Sequence, residues 1–216
     1  MSLKPTLLPG MIQAIAQTIE KNAEEVTALD QAIGDGDHVV NLQRGIDALV
    51  AQSEELGRLD WAEAWQKIGM TLLTTMGGAS GSLFGTLFIS MSKAVRERPL
   101  NQEVFAEIFT EAVGAVKKRG KSDVGEKTML DVLVPVAESL AQAVTKPTAL
   151  PETLAEVVDT AVTGMESTRD MVATKGRASF LDERSKGHID AGAKTSQLMI
   201  CTLADVITEH LGTGIK

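Results

Sequence analysis

The chain has 216 residues, 44% apolar and 23% charged, which excludes an intrinsically disordered polymer. Lysine and arginine total 21 against 29 acidic residues, a net charge of −8 without a basic stripe. That balance argues against direct nucleic-acid binding and against an anionic membrane surface. Five Phe, two Trp and no Tyr favour helices over sheets. The single cysteine, Cys201, excludes an internal disulfide and a multi-cysteine metal site, and a reducing, cytoplasmic setting is expected.

Pro5 and Pro9 interrupt the start, which lacks the basic-then-apolar pattern of a signal peptide. The first helix is predicted over about Pro9 to Leu29, with Met11, Ile15, Ile19 and Val26 on one face. A long loop, Asp30 to Asn41, follows, and then a second helix to Leu56. Asp60 reads as the N-cap of a third helix, about Trp61 to Met76. Ile68 to Ser92 holds 25 residues without a formal charge, so a membrane span has to be weighed. Gly77-Gly78-Ala79-Ser80-Gly81 lies at its middle, where a glycine break would leave backbone groups unpaired in lipid. Two buried helices joined by a glycine loop is the preferred reading.

The fourth helix runs from that loop to about Arg98-Pro99. The fifth follows Asn101 and reaches Lys118. A sixth spans about Lys127 to Val144, with Pro135 expected to bend or weaken it. Pro147 and Pro151 separate it from a seventh, about Glu152 to Thr174. A second long loop, Lys175 to Gly192, precedes the eighth helix, about Ala193 to Gly212. The expected fold is all-α: one domain over residues 1–216, an antiparallel up-and-down bundle of eight helices. In that topology the loops after helices one, three, five and seven share one end. They are also the four most unusual loops of the chain.

The first of them reads Asp30-Gln31-Ala32-Ile33-Gly34-Asp35-Gly36-Asp37-His38. Three carboxylates this close repel one another unless a cation lies between them, and an all-oxygen set selects Mg²⁺ or Ca²⁺. An EF-hand is excluded, because the twelfth position from Asp35 is Ile46. A solvated acidic turn remains the alternative. His38 reads as a polar contact to a phosphate or base, and Asn41, one turn on, can face the same site.

The glycine loop at Ala79 and Ser80 opens a helix, where backbone amides favour an anion. It has no Walker lysine, and close helix packing also explains it. The third loop, Arg119-Gly120-Lys121-Ser122 up to Met129, and the fourth, with Lys175, Arg177, Arg184 and Lys186, bring cations. Surface turns are the bland alternative for both. Three aspartates, two Mg²⁺ and a nucleoside triphosphate of about −4 sum to about −3, which an arginine or two would largely offset.

Gly34-Asp35-Gly36-Asp37-His38, Gly77-Gly78-Ala79-Ser80-Gly81, Gly176-Arg177-Ala178-Ser179-Phe180-Leu181 and Gly187-His188-Ile189-Asp190-Ala191-Gly192-Ala193 resemble the L subunits of bacterial dihydroxyacetone kinase, in order along almost the whole chain. The resemblance implies a barrel of eight antiparallel helices with a nucleotide, ADP or ATP, at one end. It assigns two Mg²⁺ ions to Asp30, Asp35 and Asp37. It assigns phosphate contacts to Ala79, Ser80, His38, Asn41 and Arg177, and the nucleoside to Gly120, Met129, Asp190, Ala191 and Gly192. Val39-Val40, Ser82 and Ala191 depart from the common pattern, and Val39 and Ala191 are expected to alter the fit around the nucleotide.

In such systems a K subunit holds dihydroxyacetone on a histidine, and no base is needed on the L subunit. An M subunit of the phosphotransferase system recharges retained ADP, or else ATP serves as an ordinary substrate. The resemblance therefore implies a phosphotransferase subunit active with its K partner, with an M subunit and a transcription regulator as further partners, and a homodimer. A regulatory nucleotide-binding module is the rival reading.

Overall fold

The computed structural model describes residues 4–96, 98–146 and 148–213. Among these, every regular element is helical. After a 3₁₀ turn at Pro5–Leu7 come α1 (Leu8–Lys21), α2 (Ala23–Ile33), α3 (His38–Val50) and the short α4 (Ser53–Leu56). Next are α5 (Trp61–Thr75), α6 (Gly78–Val95), α7 (Gln102–Gly120), α8 (Leu130–Thr145) and α9 (Leu150–Ser167). Two 3₁₀ stretches, Thr168–Asp170 and Arg177–Ser185, precede α10 (Ala191–Thr213).

The caps follow from the sequence. The Asp60 carboxylate accepts from the Glu63 N–H at 2.8 Å and starts α5. Asn101 does the same for α7 through the Val104 N–H at 2.9 Å. Lys117, Lys118 and Arg119 fill the last turn of α7, where cations suit the helix dipole.

Several boundaries differ from expectation. The predicted first helix is two, α1 and α2, joined at Asn22, whose side-chain amide donates to the Thr18 carbonyl at 2.8 Å instead of projecting away. The seventh stops at Ser167, where the Ser167 and Thr168 hydroxyls turn back onto the Gly164 and Met165 carbonyls. The sixth begins at Leu130 rather than Lys127, because Lys127 has φ +59 and cannot continue a right-handed helix. Within α8 the helix runs on through Pro135. Pro147 lies outside the described residues. Pro151 occupies the first turn of α9, where its missing N–H costs nothing.

Each long helix from α5 to α10 packs against the next one in the chain; α10 packs on α1, α1 on α3, and α3 on α5. One apolar cluster runs through them, including Leu42, Trp65, Ile108, Val116 and Val132, each nearly or wholly buried. The uncharged stretch forms the α5–α6 pair. There Gly69 and Gly85 face one another so closely that a methyl on either would lie 3.0 Å from the other's carbonyl oxygen. Its small residues thus serve helix packing. Among the described residues, no helix is long and apolar enough to cross a membrane.

Candidate functional site

Asp30 sits in the last turn of α2, and its carbonyl accepts the Gly34 N–H at 2.5 Å to close the helix. Only Gly34 to Asp37 is non-helical, because the Asp30 carboxylate takes the His38 N–H at 3.0 Å and starts α3 at once. The long loop predicted here is therefore a four-residue turn. Gly36, at φ +76, folds it back. The outcome is a set of carboxylate oxygens, one each from Asp30, Asp35 and Asp37, all within 4.8 Å of one another. Asp30 is half-buried and the other two are exposed. Oxygen-only donors at this spacing fit a hard divalent cation.

His38 links three helices. Its Nε2 lies 3.0 Å from the Thr195 hydroxyl of α10, and its Nδ1 lies 3.3 Å from the Ser80 hydroxyl of α6. The Thr195 hydroxyl donates its one proton toward the Ala191 and Gly192 carbonyls, both at 3.1 Å. Its oxygen must then accept from His38 Nε2–H, which leaves Nδ1 to accept from Ser80. Burial pushes the His38 pKa down, against the opposing charges of Asp30 and Asp37, and favours this neutral ring. Both ring nitrogens are engaged by hydroxyls, so His38 acts as a polar contact rather than a ligand of the aspartate cluster.

Gly78 opens α6 at φ +67, leaving Ala79 exposed and Ser80 half-buried at the helix N-terminus. The buried Asn41 lies against Gly77, where a methyl would come within 2.3 Å of its Oδ1. Asn41 Oδ1 also accepts from Arg44 at 3.3 Å. Ser82 Oγ accepts the Arg119 Nε–H at 2.6 Å, which ties the start of α6 to the end of α7.

The basic loop does not converge as a group. Arg177 pairs with Asp35, but Lys175 pairs with Glu126 at 3.3 Å and Lys186 with Glu183 at 2.8 Å. Arg184 is exposed. Arg177 opens the 3₁₀ stretch Arg177–Ser185 beside Asp35, while Lys175 and Lys186 lie just outside that stretch, each beside another carboxylate.

On the other side, Gly120 ends α7 beside Leu83, and Met129, 5% exposed, caps α8. A methyl on Gly192 would lie 3.7 Å from Met129 Cβ and 3.0 Å from Asp190 Oδ2. Asp190 accepts the Ala193 N–H at 2.7 Å and so caps α10. Burial raises its pKa to about 6, although the Ala193 N–H and Lys127 favour its charged form. Ala191 is the first residue of α10, between Asp190 and Gly192. It is buried in a small cluster with Val26 and Val39, so the two unusual residues pack together behind His38.

Sequence reasoning missed Thr195, Lys127 and Asp131. Each acts over a long range or through backbone atoms, which no local motif announces.

Residues 32–205 match the DAK2 domain family. Over 205 residues the chain is 39% identical to the PEP-dependent dihydroxyacetone kinase, ADP-binding subunit DhaL, of Escherichia coli, covering 94% of this chain and 98% of that one. It is 40% identical over 183 residues to a Listeria innocua subunit of the same description, 85% and 87% of the two chains. A PTS-dependent counterpart from Lactococcus lactis is 36% identical over 192 residues, 88% and 92% of the two chains. The fold matches the dihydroxyacetone kinase of C. freundii in complex with AMP-PNP and Mg²⁺ with a TM-score of 0.71 at 23% identity, over 95% of this chain and 34% of that larger one. The chain belongs to the DAK2 domain family, in the company of the DhaL subunits of bacterial dihydroxyacetone kinases.

Proposed function

We propose that this chain is the nucleotide-binding, phosphoryl-donating subunit of a dihydroxyacetone kinase. The observation that carries the reading is the gathering of Asp30, Asp35 and Asp37 beside Arg177, His38 and the N-terminus of α6. Relatives covering nearly the whole chain are named ADP-binding subunits of PEP- or PTS-dependent kinases. In this reading the chain is one domain, the ring of eight helices α1, α3 and α5 to α10 forms an antiparallel barrel, and the nucleotide lies at one end.

Asp30, Asp35 and Asp37 would hold two Mg²⁺ ions, which supply charge neutralisation to the phosphates of ADP or ATP. Arg177, paired with Asp35 here, would be the guanidinium nearest the cluster and able to contact a phosphate oxygen. The amides at Ala79 and Ser80 orient the terminal phosphoryl group. His38 holds Ser80 in place, Asn41 supports Gly77, and Gly120, Met129 and Asp190 to Gly192 wall the nucleoside.

In this reading the ketone is held on a partner K subunit. ADP stays bound and is recharged by a phosphotransferase M subunit. The setting is cytoplasmic, where Cys201 stays reduced. The chain works as a homodimer, and a transcription regulator is a further partner. The test supplies dihydroxyacetone and the K subunit, then either the phosphorylated M subunit or ATP. Turnover is expected with the M subunit and is absent without the K subunit. Robust phosphorylation by the isolated chain with ATP would refute the division of labour, and turnover on ATP alone with the K subunit would refute retained ADP.

A further inference from the structure

Lys127 has the largest wholly buried side chain among the described residues, at 1% exposure. A lysine is rarely buried, because its ammonium loses hydration unless it is paired and hydrogen-bonded. Here the ammonium donates to the carbonyl oxygens of Thr168 and His188. The carboxylates of Asp190 and Asp131 act on it as the main favourable charges. Its backbone stands in the left-handed region, at φ +59, which is strained for a residue other than glycine. An apolar side chain would fill the same space without desolvating a charge, so the charge has to be explained by what it joins.

It joins three segments that meet nowhere in sequence. The first is the turn before α8, closed by the Asp131 carboxylate on the Gly125 and Thr128 N–H groups at 2.6 and 2.7 Å, and it carries Met129. The second is the Thr168–Asp170 turn, whose Arg169 carbonyl accepts the Gly187 N–H at 2.8 Å. The third is the approach to α10, where the Asp190 N–H donates to the Thr168 hydroxyl at 3.1 Å. Gly192 then lies directly opposite Met129.

The geometry points to Lys127 as a positioning residue that sets the gap between Met129 and Asp190–Gly192 and so decides how well the nucleoside is held. This rests on the nucleotide-binding reading above. Lys127 has no place among the phosphate contacts, which are carried by the aspartate turn, α6 and Arg177. Its loss must therefore weaken the nucleoside and spare the phosphates.

The test compares ADP with inorganic tripolyphosphate, each with Mg²⁺, by calorimetry on the full chain and on Lys127→Met and Lys127→Arg. The methionine variant is expected to bind ADP about tenfold or more weakly, the scale on which residues behind a ligand contact act. Tripolyphosphate affinity should be unchanged, and the arginine variant should recover part of the loss. Equal ADP affinity in wild type and Lys127→Met would overturn the proposal. So would an equal loss of ADP and tripolyphosphate. Failure of the wild type to bind ADP at all would instead defeat the nucleotide-binding reading. If the methionine variant does not fold, amide exchange on the wild type still decides. ADP with Mg²⁺ should slow exchange at residues 125–131, 168–170 and 187–192 together, and tripolyphosphate should not. Identical protection by both ligands would overturn the proposal.

Discussion

Asp35 and Asp37 stand exposed on a four-residue turn, whereas Lys127, Asp131 and Met129 are almost wholly buried. The acidic side of the site is built from neighbours in sequence, with three carboxylates within eight positions and one arginine from afar. The Met129 side is built from segments some forty to sixty residues apart, joined by a buried ammonium on two carbonyls. The first is a charged surface with two carboxylates open to solvent. The second is a packed wall whose ammonium and carboxylates are already hydrogen-bonded. Under the proposed reading, binding energy for phosphate and shape for the nucleoside would come from two parts of different physical construction, each breakable without the other.

The largest effect is expected on the acidic side. Asp35→Asn removes one charge from the cluster and should weaken Mg²⁺-dependent ADP binding by several kcal/mol, with an unchanged melting curve. Calorimetry beside thermal denaturation checks both halves of that statement. A variant that melts early would show the turn to be structural instead.

Next comes a change behind the buried side. A methyl at Gly164 would lie 2.2 Å from the Asp131 carbonyl oxygen, and backbone cannot retreat as a side-chain tip can. Gly164→Ala is expected to destabilise the fold by about 1–3 kcal/mol in denaturant titrations. Tripolyphosphate affinity with Mg²⁺ should stay within a factor of two or so, since the site is satisfied by separate groups.

A smaller effect separates charge from capping at Asp190. Asp190→Ala removes the acceptor of the Ala193 N–H and should cost about 1 kcal/mol. Asp190→Asn keeps the cap and should cost less. The folded pKa of Asp190, about 6, lies above its ordinary 3.8, so folding favours its protonated form. Its charged form thus detracts from stability as pH rises from about 4 to 6, and the Asn variant should lack that decline.

The aspartate cluster was legible in the sequence because its spacing is local and its chemistry leaves few uses for three adjacent carboxylates. The all-helical class was legible for the same kind of reason, in the apolar periodicity and in the caps at Asp60 and Asn101. Boundaries at Asn22, Lys127 and Ser167 were not, because single side-chain or backbone conformations decide them. The basic loop misled by its composition: Lys175 and Lys186 found carboxylates nearer than the site. That Val39 and Ala191 share one small cluster with Val26 was likewise not legible, because the contact joins three separate helices. Lys127 was invisible because its partners are carbonyls, which every residue has.

The smallest effect concerns Glu126, which docks the turn before α8 onto Thr174 and Lys175. Partial burial raises its pKa, but the Asp123 N–H, Thr174 and Lys175 outweigh that and hold it down to about 2. A depressed carboxyl contributes stability that is present above about 4.5 and is lost as pH falls toward 2. Glu126→Gln should flatten that acid limb in a pH series of denaturant titrations, by lowering stability above about pH 5 while leaving stability near pH 2 little changed.

If nucleotide is held here through a divalent cation on Asp30, Asp35 and Asp37, its affinity must depend on that cation. Calorimetry of ADP against the wild-type chain, first with Mg²⁺ and then with EDTA, measures this dependence. Tight binding with Mg²⁺ that collapses in EDTA is expected. ADP affinity indifferent to EDTA would rule out a cation-held nucleotide.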